Sequence, residues 1–182
     1  SPSSRCSFRK YSSDFVAAMR RQSGLEVTAL PRLPMDAGAL QIEATVAVSL
    51  NGTLLGSAEA GGRGAVVDIS ADKIAVVGGV DAAGYRAAGY LVLDAGQLSA
   101  FGSESLLLGG TRKQTVSGLE VDAVASNVVI ATDGSAATAL VAPEILLASE
   151  QTIDIASGSI VEARGTIGGG SGNILIKPVI AA

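Results

Sequence analysis

Four segments of this sequence share one pattern, in which an aspartate lies between two apolar residues and a second short apolar segment follows. The aspartates are Asp68, Asp94, Asp122 and Asp154, and the second segments span residues 74–76, 98–100, 128–130 and 159–161. The spacing between successive aspartates is uneven, as expected when loops of different length interrupt similar units. Apolar residues at every second position indicate strands, so each segment predicts a pair of them. The repetition predicts a solenoid in which each unit covers its neighbour's strand edges.

The composition favours an all-β fold with a narrow core. Aromatic residues make up only 3% of the chain, whereas 23 glycines allow frequent tight turns. We expect the repeat domain to span residues 39–182, preceded by a polar lead-in at 1–38. In the lead-in, Ser13 could begin a short helix, with a frayed terminus as the alternative, and a connector containing two prolines follows at 30–34.

Several classes of function are disfavoured by the sequence. The net charge is −4 and the basic residues cluster near the amino end, so we expect no nucleic-acid partner. The apolar runs are too short to predict a membrane span. Cys6, the single cysteine, cannot form an internal disulfide. The chain begins without methionine or a signal pattern, so we expect it to be part of a longer protein.

Several stretches carry a resemblance to a known family. They span residues 62–69, 73–77, 89–95, 98–102, 104–112 and 142–148. Together they resemble the large filamentous-haemagglutinin-like exoproteins of Gram-negative bacteria, and the similarity covers about residues 11–167.

The resemblance implies a fold, a location and partners. The fold would be a right-handed parallel β-helix, secreted or held at the cell surface through two-partner secretion. The partners would be adjacent rungs of a longer parent chain, an outer-membrane transporter for that parent, and a receptor or glycan on a host or bacterial surface. The family's secretion domain carries Asn-Pro-Asn motifs, and no Asn-Pro pair occurs here, so this stretch is expected to be an internal or downstream segment.

We expect no catalytic residue, metal ligand or cofactor in this chain. It contains no histidine, which excludes Ser-His-Asp and Cys-His mechanisms and removes the commonest zinc ligand. The alternative is a carbohydrate-active β-helix, a lyase or hydrolase, that uses the four repeated aspartates as an outward row. The simpler interpretation is that these acids point to solvent, because each lies between two inward-facing apolar residues.

Two small groups of residues are candidates for partner binding. Tyr85, Arg86 and Tyr90 form an aromatic and basic cluster that could stack on a sugar or anchor a protein. The alternative is a loop that packs on its own coil. Arg112 and Lys113 follow two glycines and could lie in an exposed binding loop, with a solvated turn as the alternative.

Overall fold

The computed structural model describes residues 35–45, 48, 54–168 and 173–178 of the 182-residue chain. All of them belong to Met35–Ala182, the second of two units into which the chain divides. Cys6, the helix predicted near Ser13 and the connector at 30–34 lie outside the described residues.

Almost all of the regular structure is β-strand, which confirms the all-β prediction. The strands are β1 Ala39–Glu43, β2 Val66–Ser70, β3 Lys73–Gly78, β4 Leu91–Asp94, β5 Ser105–Leu108, β6 Gly110–Thr115, β7 Gly118–Ala123, β8 Asn127–Thr132, β9 Leu140–Ala142, β10 Glu144–Leu147, β11 Thr152–Ile155, β12 Val161–Ala163 and β13 Ile174–Pro178. The two described helices are α1, Ala83–Ala87, and α2, Ala95–Ala100.

The strands form four small sheets. Sheet A has the order β1-β2-β5-β10, sheet B the order β11-β8-β3-β4, sheet C the order β13-β7-β6 and sheet D the order β12-β9. Every described pairing is parallel except that between β6 and β7, which form an antiparallel hairpin. Parallel neighbours must come from separate passes of the chain, because a tight turn can join only antiparallel strands.

From β5 onward the chain passes through sheets A, B and D twice in the same order, first as β5, β8 and β9 and then as β10, β11 and β12. The number of residues between neighbouring strands differs between two of the sheets. In sheet B the first offset runs from the start of β8 at 127 to the start of β11 at 152, and in sheet A the second runs from β5 at 105 to β10 at 144. The second offset exceeds the first by the length of the hairpin that runs from Gly110 to Ala123. The hairpin is therefore an insertion within the first of two similar passes of the chain.

The main core is formed by inward-facing residues of sheets A, B and D. Its fully buried members include Val67, Ile69, Ile74, Val76, Leu106, Leu108, Ile130 and Leu140. In β2 and β3 these residues occupy alternate positions, as the sequence predicts for strands with one face on the core. Alanine, valine, isoleucine and leucine side chains fill this core, and Phe101 is its single described aromatic residue.

Two smaller clusters cover the outer faces of sheets A and B. On sheet A, Leu107 packs with Val121 and Ala123 of the hairpin. On sheet B, Ala75 and Val129 are covered by the segment that carries Tyr85 and Tyr90. Because β3 and β8 are buried on both faces, their sequences are almost continuously apolar rather than alternating.

The segment at 98–100, predicted as a strand, is part of helix α2. The Asp94 side chain accepts a hydrogen bond from the backbone N–H of Gln97 at 2.8 Å, which is an N-cap, and residues 95–100 contain no β-branched residue. The helix lies beside β9, where the Ser99 hydroxyl accepts from Val141 N at 2.8 Å. This contact satisfies a backbone donor at the edge of sheet D. Within the described residues, no helix has the length and hydropathy needed to cross a membrane.

Candidate functional site

The four repeated aspartates do not form a row. Asp68 is in sheet A, Asp122 is in sheet C, and Asp94 and Asp154 lie on the two opposite edge strands of sheet B. None of the four is a register partner of another. The alignment that placed them on successive units is wrong, because an apolar-Asp-apolar triplet fits a strand of any sheet. The carbohydrate-active alternative depended on this row and loses its basis.

Asp68 also does not point to solvent, although Asp94 and Asp154 are exposed as expected. Its side chain leaves the main core on the outer face of sheet A, as the alternation predicts, but the β6–β7 hairpin covers it. The side chains of Asp68 and Arg112 are each only 9% exposed, and Arg112 Nε lies 2.6 Å from Asp68 Oδ1. The backbone N–H of Arg112 donates to Asp68 Oδ2 at 3.2 Å. Both carboxylate oxygens therefore have a donor.

The two remaining guanidinium nitrogens contact strands β5 and β10 of sheet A and the backbone of β2. Arg112 Nη1 lies 2.7 Å from Ser105 Oγ on β5 and 3.9 Å from Glu144 Oε2 on β10, and the Ser105 hydroxyl donates to Glu144. Arg112 Nη2 donates to the carbonyl of Val67 at 3.4 Å. One arginine of the hairpin thus contacts three strands, β2, β5 and β10.

This buried polar network holds the hairpin on the sheet. The hypothesis that Arg112 lies in an exposed binding loop is wrong, because its glycines lead into strand β6 and its guanidinium faces sheet A. A buried charge is tolerated only with a paired and hydrogen-bonded partner, and Asp68 supplies it. The sequence interpretation missed Ser105 and Glu144. The available signal was the similarity of the apolar segments that follow them, 106–108 and 145–147, which pair in register.

Glu104 forms a second contact between distant segments. Its side chain is 8% exposed, and its carboxylate accepts from Gly64 N at 2.7 Å and from Gly168 N at 3.0 Å. A Cβ added to Gly64 would lie 2.8 Å from the Glu104 Cβ, so only glycine allows this approach. The nearest cationic atom is Arg63 Nε, 3.7 Å from the carboxylate. Glu104 therefore links two turns that are far apart in the sequence.

Lys113 lies on the solvent side of the hairpin, unlike its neighbour Arg112. Its side chain is 66% exposed, and its Nζ lies 2.6 Å from Asp122 Oδ2 on the paired strand. The hydrogen bond and charge of Asp122 raise the pKa of the Lys113 ammonium. On the same sheet, Lys177 of β13 contacts Glu120 of β7 at 2.9 Å. The exposed face of sheet C is thus lined by opposite charges that pair across strands.

Tyr85 and Tyr90 of the aromatic and basic cluster come together, but their rings face the protein. Tyr85 and Tyr90 meet edge to face, with centroids 5.8 Å apart and an interplanar angle of 80°. Both rings pack on the outer face of sheet B and are partly buried. The ammonium of Lys73 lies 5.9 Å from the Tyr90 ring centroid, which is a cation–π distance. Arg86 remains exposed on α1.

Asp133 organises the turn that precedes β9. Its carboxylate accepts hydrogen bonds from the Thr138 hydroxyl and from the backbone N–H of Ser135, the latter at 2.9 Å. The Thr138 bond makes the largest contribution to lowering the pKa of the Asp133 carboxyl, followed by Ser135. The acid therefore closes a surface turn.

Over residues 35–45, 48, 54–168 and 173–178, no three cysteine, aspartate or glutamate side chains come together in a group able to hold a metal ion. No protein-family model, curated protein or solved structure matches this chain.

Proposed function

We propose that residues 39–182 form a right-handed parallel β-helix. The main support is the repeated visit to sheets A, B and D in a constant order, with parallel pairing at each return. The returns in sheets A and B have the same offset once the hairpin is set aside, and this agreement and an enclosed aliphatic core are typical of stacked coils. In such a fold, the hairpin and the α1 segment are insertions that cover parts of the outer faces of the coils.

The function we propose is structural: the chain is a shaft segment of a secreted or cell-surface bacterial adhesin, without catalysis of its own. Solenoids bind through long surfaces and through inserted loops rather than through a closed pocket. The observation that carries the proposal is that two acids of the described residues serve packing, since Asp68 and Glu104 both have their carboxylates committed to buried contacts. The resemblance to haemagglutinin-like exoproteins supplies the class, the export by an outer-membrane transporter and the place of this segment as an internal or downstream part of a longer chain.

The surface that we propose for contact with a receptor or glycan is the α1 insertion on sheet B. It combines the exposed Arg86 with the partly buried Tyr85 and Tyr90, and Lys73 adds a second positive charge beside the ring of Tyr90. Aromatic rings and arginine are enriched among residues that dominate binding at interfaces. Lys113 is a secondary candidate, since it is exposed but already paired with Asp122.

A binding experiment tests this function. Fluorescently labelled protein is incubated with cultured epithelial cells and, separately, with Gram-negative bacterial cells. We expect saturable binding to at least one of them that unlabelled protein displaces, and Arg86→Ala should weaken it roughly tenfold if it is a binding hot spot. Lys177→Ala, which removes an exposed positive charge from a different part of the fold, is the matched control and should bind normally. Absence of saturable binding to both cell types contradicts the adhesin proposal.

A further inference from the structure

One end of the stack of sheets has strand edges to which the described residues offer no partner. Sheets A, B and D end in β10, β11 and β12, which are the neighbours of β5, β8 and β9. Each of these three strands is the last in its sheet on the same side, and short segments join them. Their free edges therefore form one surface, called here the β10–β12 end. A row of unpaired backbone donors and acceptors is a template for another strand.

This end also exposes apolar side chains that face inward elsewhere. Along sheet B, Ile153 is in register with Val128, and Ile155 with Ile130. Val128 and Ile130 are fully buried, whereas Ile153 is 46% and Ile155 is 50% exposed. The side chains point in the same direction, and Ile153 and Ile155 differ only in that no strand among the described residues follows to cover them. Apolar positions of this kind are buried when another strand is added.

The charges of β12 favour a second copy of this chain as the partner. Glu162 and the nearby Arg164 are both exposed on the outer side of this strand, at 45% and 69%, and their Oε1 and Nε atoms lie 3.6 Å apart. If two β12 strands pair antiparallel about Ala163, Glu162 of one copy lies opposite Arg164 of the other, and symmetry repeats the pair. Opposite charges in directly facing positions stabilise antiparallel strands. Alanine at the centre allows the strands to approach closely.

The same symmetry brings together the apolar residues on either side. In the proposed β-helix, sheets A and B flank sheet D, so a two-fold axis through Ala163 places β10 of one copy against β11 of the other. Ile145 and Leu147 of β10 then meet Ile153 and Ile155 of β11. Such an interface is self-complementary and closes at two copies instead of growing into a filament.

We propose that the β10–β12 end is a dimerisation surface, through which two copies of this chain join end to end by antiparallel pairing of β12. This inference rests on the proposed β-helix, but it does not depend on adhesion.

Sedimentation velocity over a wide concentration range tests the dimer. The expected species has twice the monomer mass of 18.0 kDa and dissociates on dilution. Ile153→Lys should leave only monomer, whereas Val116→Lys, in the exposed hairpin turn, should dimerise normally. A wild-type protein that is monomeric throughout overturns the proposal. A circular-dichroism spectrum typical of a folded β protein in that sample shows that unfolding is not the cause.

Charge exchange tests the pairing itself. Glu162→Arg alone and Arg164→Glu alone each place like charges opposite one another, so each should weaken dimerisation about tenfold or more. An equimolar mixture of these two variants, and the double variant, should restore it, because opposite charges face again in both. A mixture that dimerises no better than its separate components overturns the proposed pairing.

Discussion

At the scale of single residues, the apolar alternation around Asp68 predicts which face of the sheet its side chain lies on, but not that Arg112 is its partner. Alternation correctly places Asp68 on the outer face between Val67 and Ile69. It does not reveal that Arg112, far along the chain, covers that face. The partner is brought in by an antiparallel hairpin with its own register, and nothing local to Asp68 encodes that register. For the same reason the sequence alone predicts, wrongly, that Arg112 is exposed.

Removal of one member of this pair should be far more damaging than removal of an exposed aspartate. Asp68→Asn leaves the buried Arg112 guanidinium with only the more distant Glu144 carboxylate, 3.9 Å away, so we expect a loss of about 3 kcal/mol in the free energy of unfolding. Asp154→Asn, on an exposed strand face, is the control and should leave the unfolding midpoint nearly unchanged. Urea unfolding followed by circular dichroism measures both.

A double replacement separates packing from charge. Asp68→Leu combined with Arg112→Met removes both charges and keeps much of the buried volume, so it should recover most of the stability lost in Asp68→Asn. If the double variant is as unstable as the single one, the pair contributes through something other than charge compensation.

At the scale of elements, most strands could be predicted and their partners could not. The segments at 67–69, 74–76, 121–123, 128–130 and 153–155 all lie in strands, since apolar alternation is a property of the strand itself. Helix α2 was not predicted, because its N-cap residue, Asp94, also fits the repeated strand pattern. The register of sheet A aligns Asp68 with Leu107 and Leu146, so an alignment anchored on aspartates could not find it.

The β6–β7 hairpin should be removable as a unit. The carbonyl of Gly109 accepts hydrogen bonds from Val124 N and Ala125 N, both at 2.9 Å, so the two ends of the insertion already meet. Deletion of residues 110–123, with Asp68→Thr and Leu107→Thr to make the uncovered face polar, should leave a cooperatively folded β protein. We expect it to unfold at lower urea, and β13 to fray because it loses its partner β7.

Deletion of β8, Asn127–Thr132, is the control for the hairpin deletion. This strand lies between β3 and β11 in sheet B, so its loss should abolish the folded β spectrum. If the hairpin deletion also unfolds the chain, the hairpin is part of the structural unit and not an insertion into it.

At the scale of the whole molecule, the sequence predicts an all-β chain, and the observed sheets confirm that coarser prediction. The length of a repeating unit could not be predicted, because the hairpin lengthens one pass of the chain and the α1 segment another, so the offset between β8 and β11 does not recur at every pair of neighbouring strands. The main support for the β-helix proposal is the order in which the chain passes through sheets A, B and D.

Engineered disulfides test that stacking most directly, in a Cys6→Ser background. Adjacent strands are about 4.8 Å apart, within the Cα separation that a disulfide spans, whereas strands two positions apart are not. Lys73 pairs with Asn127, and Asn127 with Thr152, on successive strands of sheet B. In the parallel stack, the cysteine pairs 73/127 and 127/152 should oxidise readily and 73/152 should not. Efficient formation of the 73/152 bond, or failure of both adjacent pairs, would contradict the parallel stack.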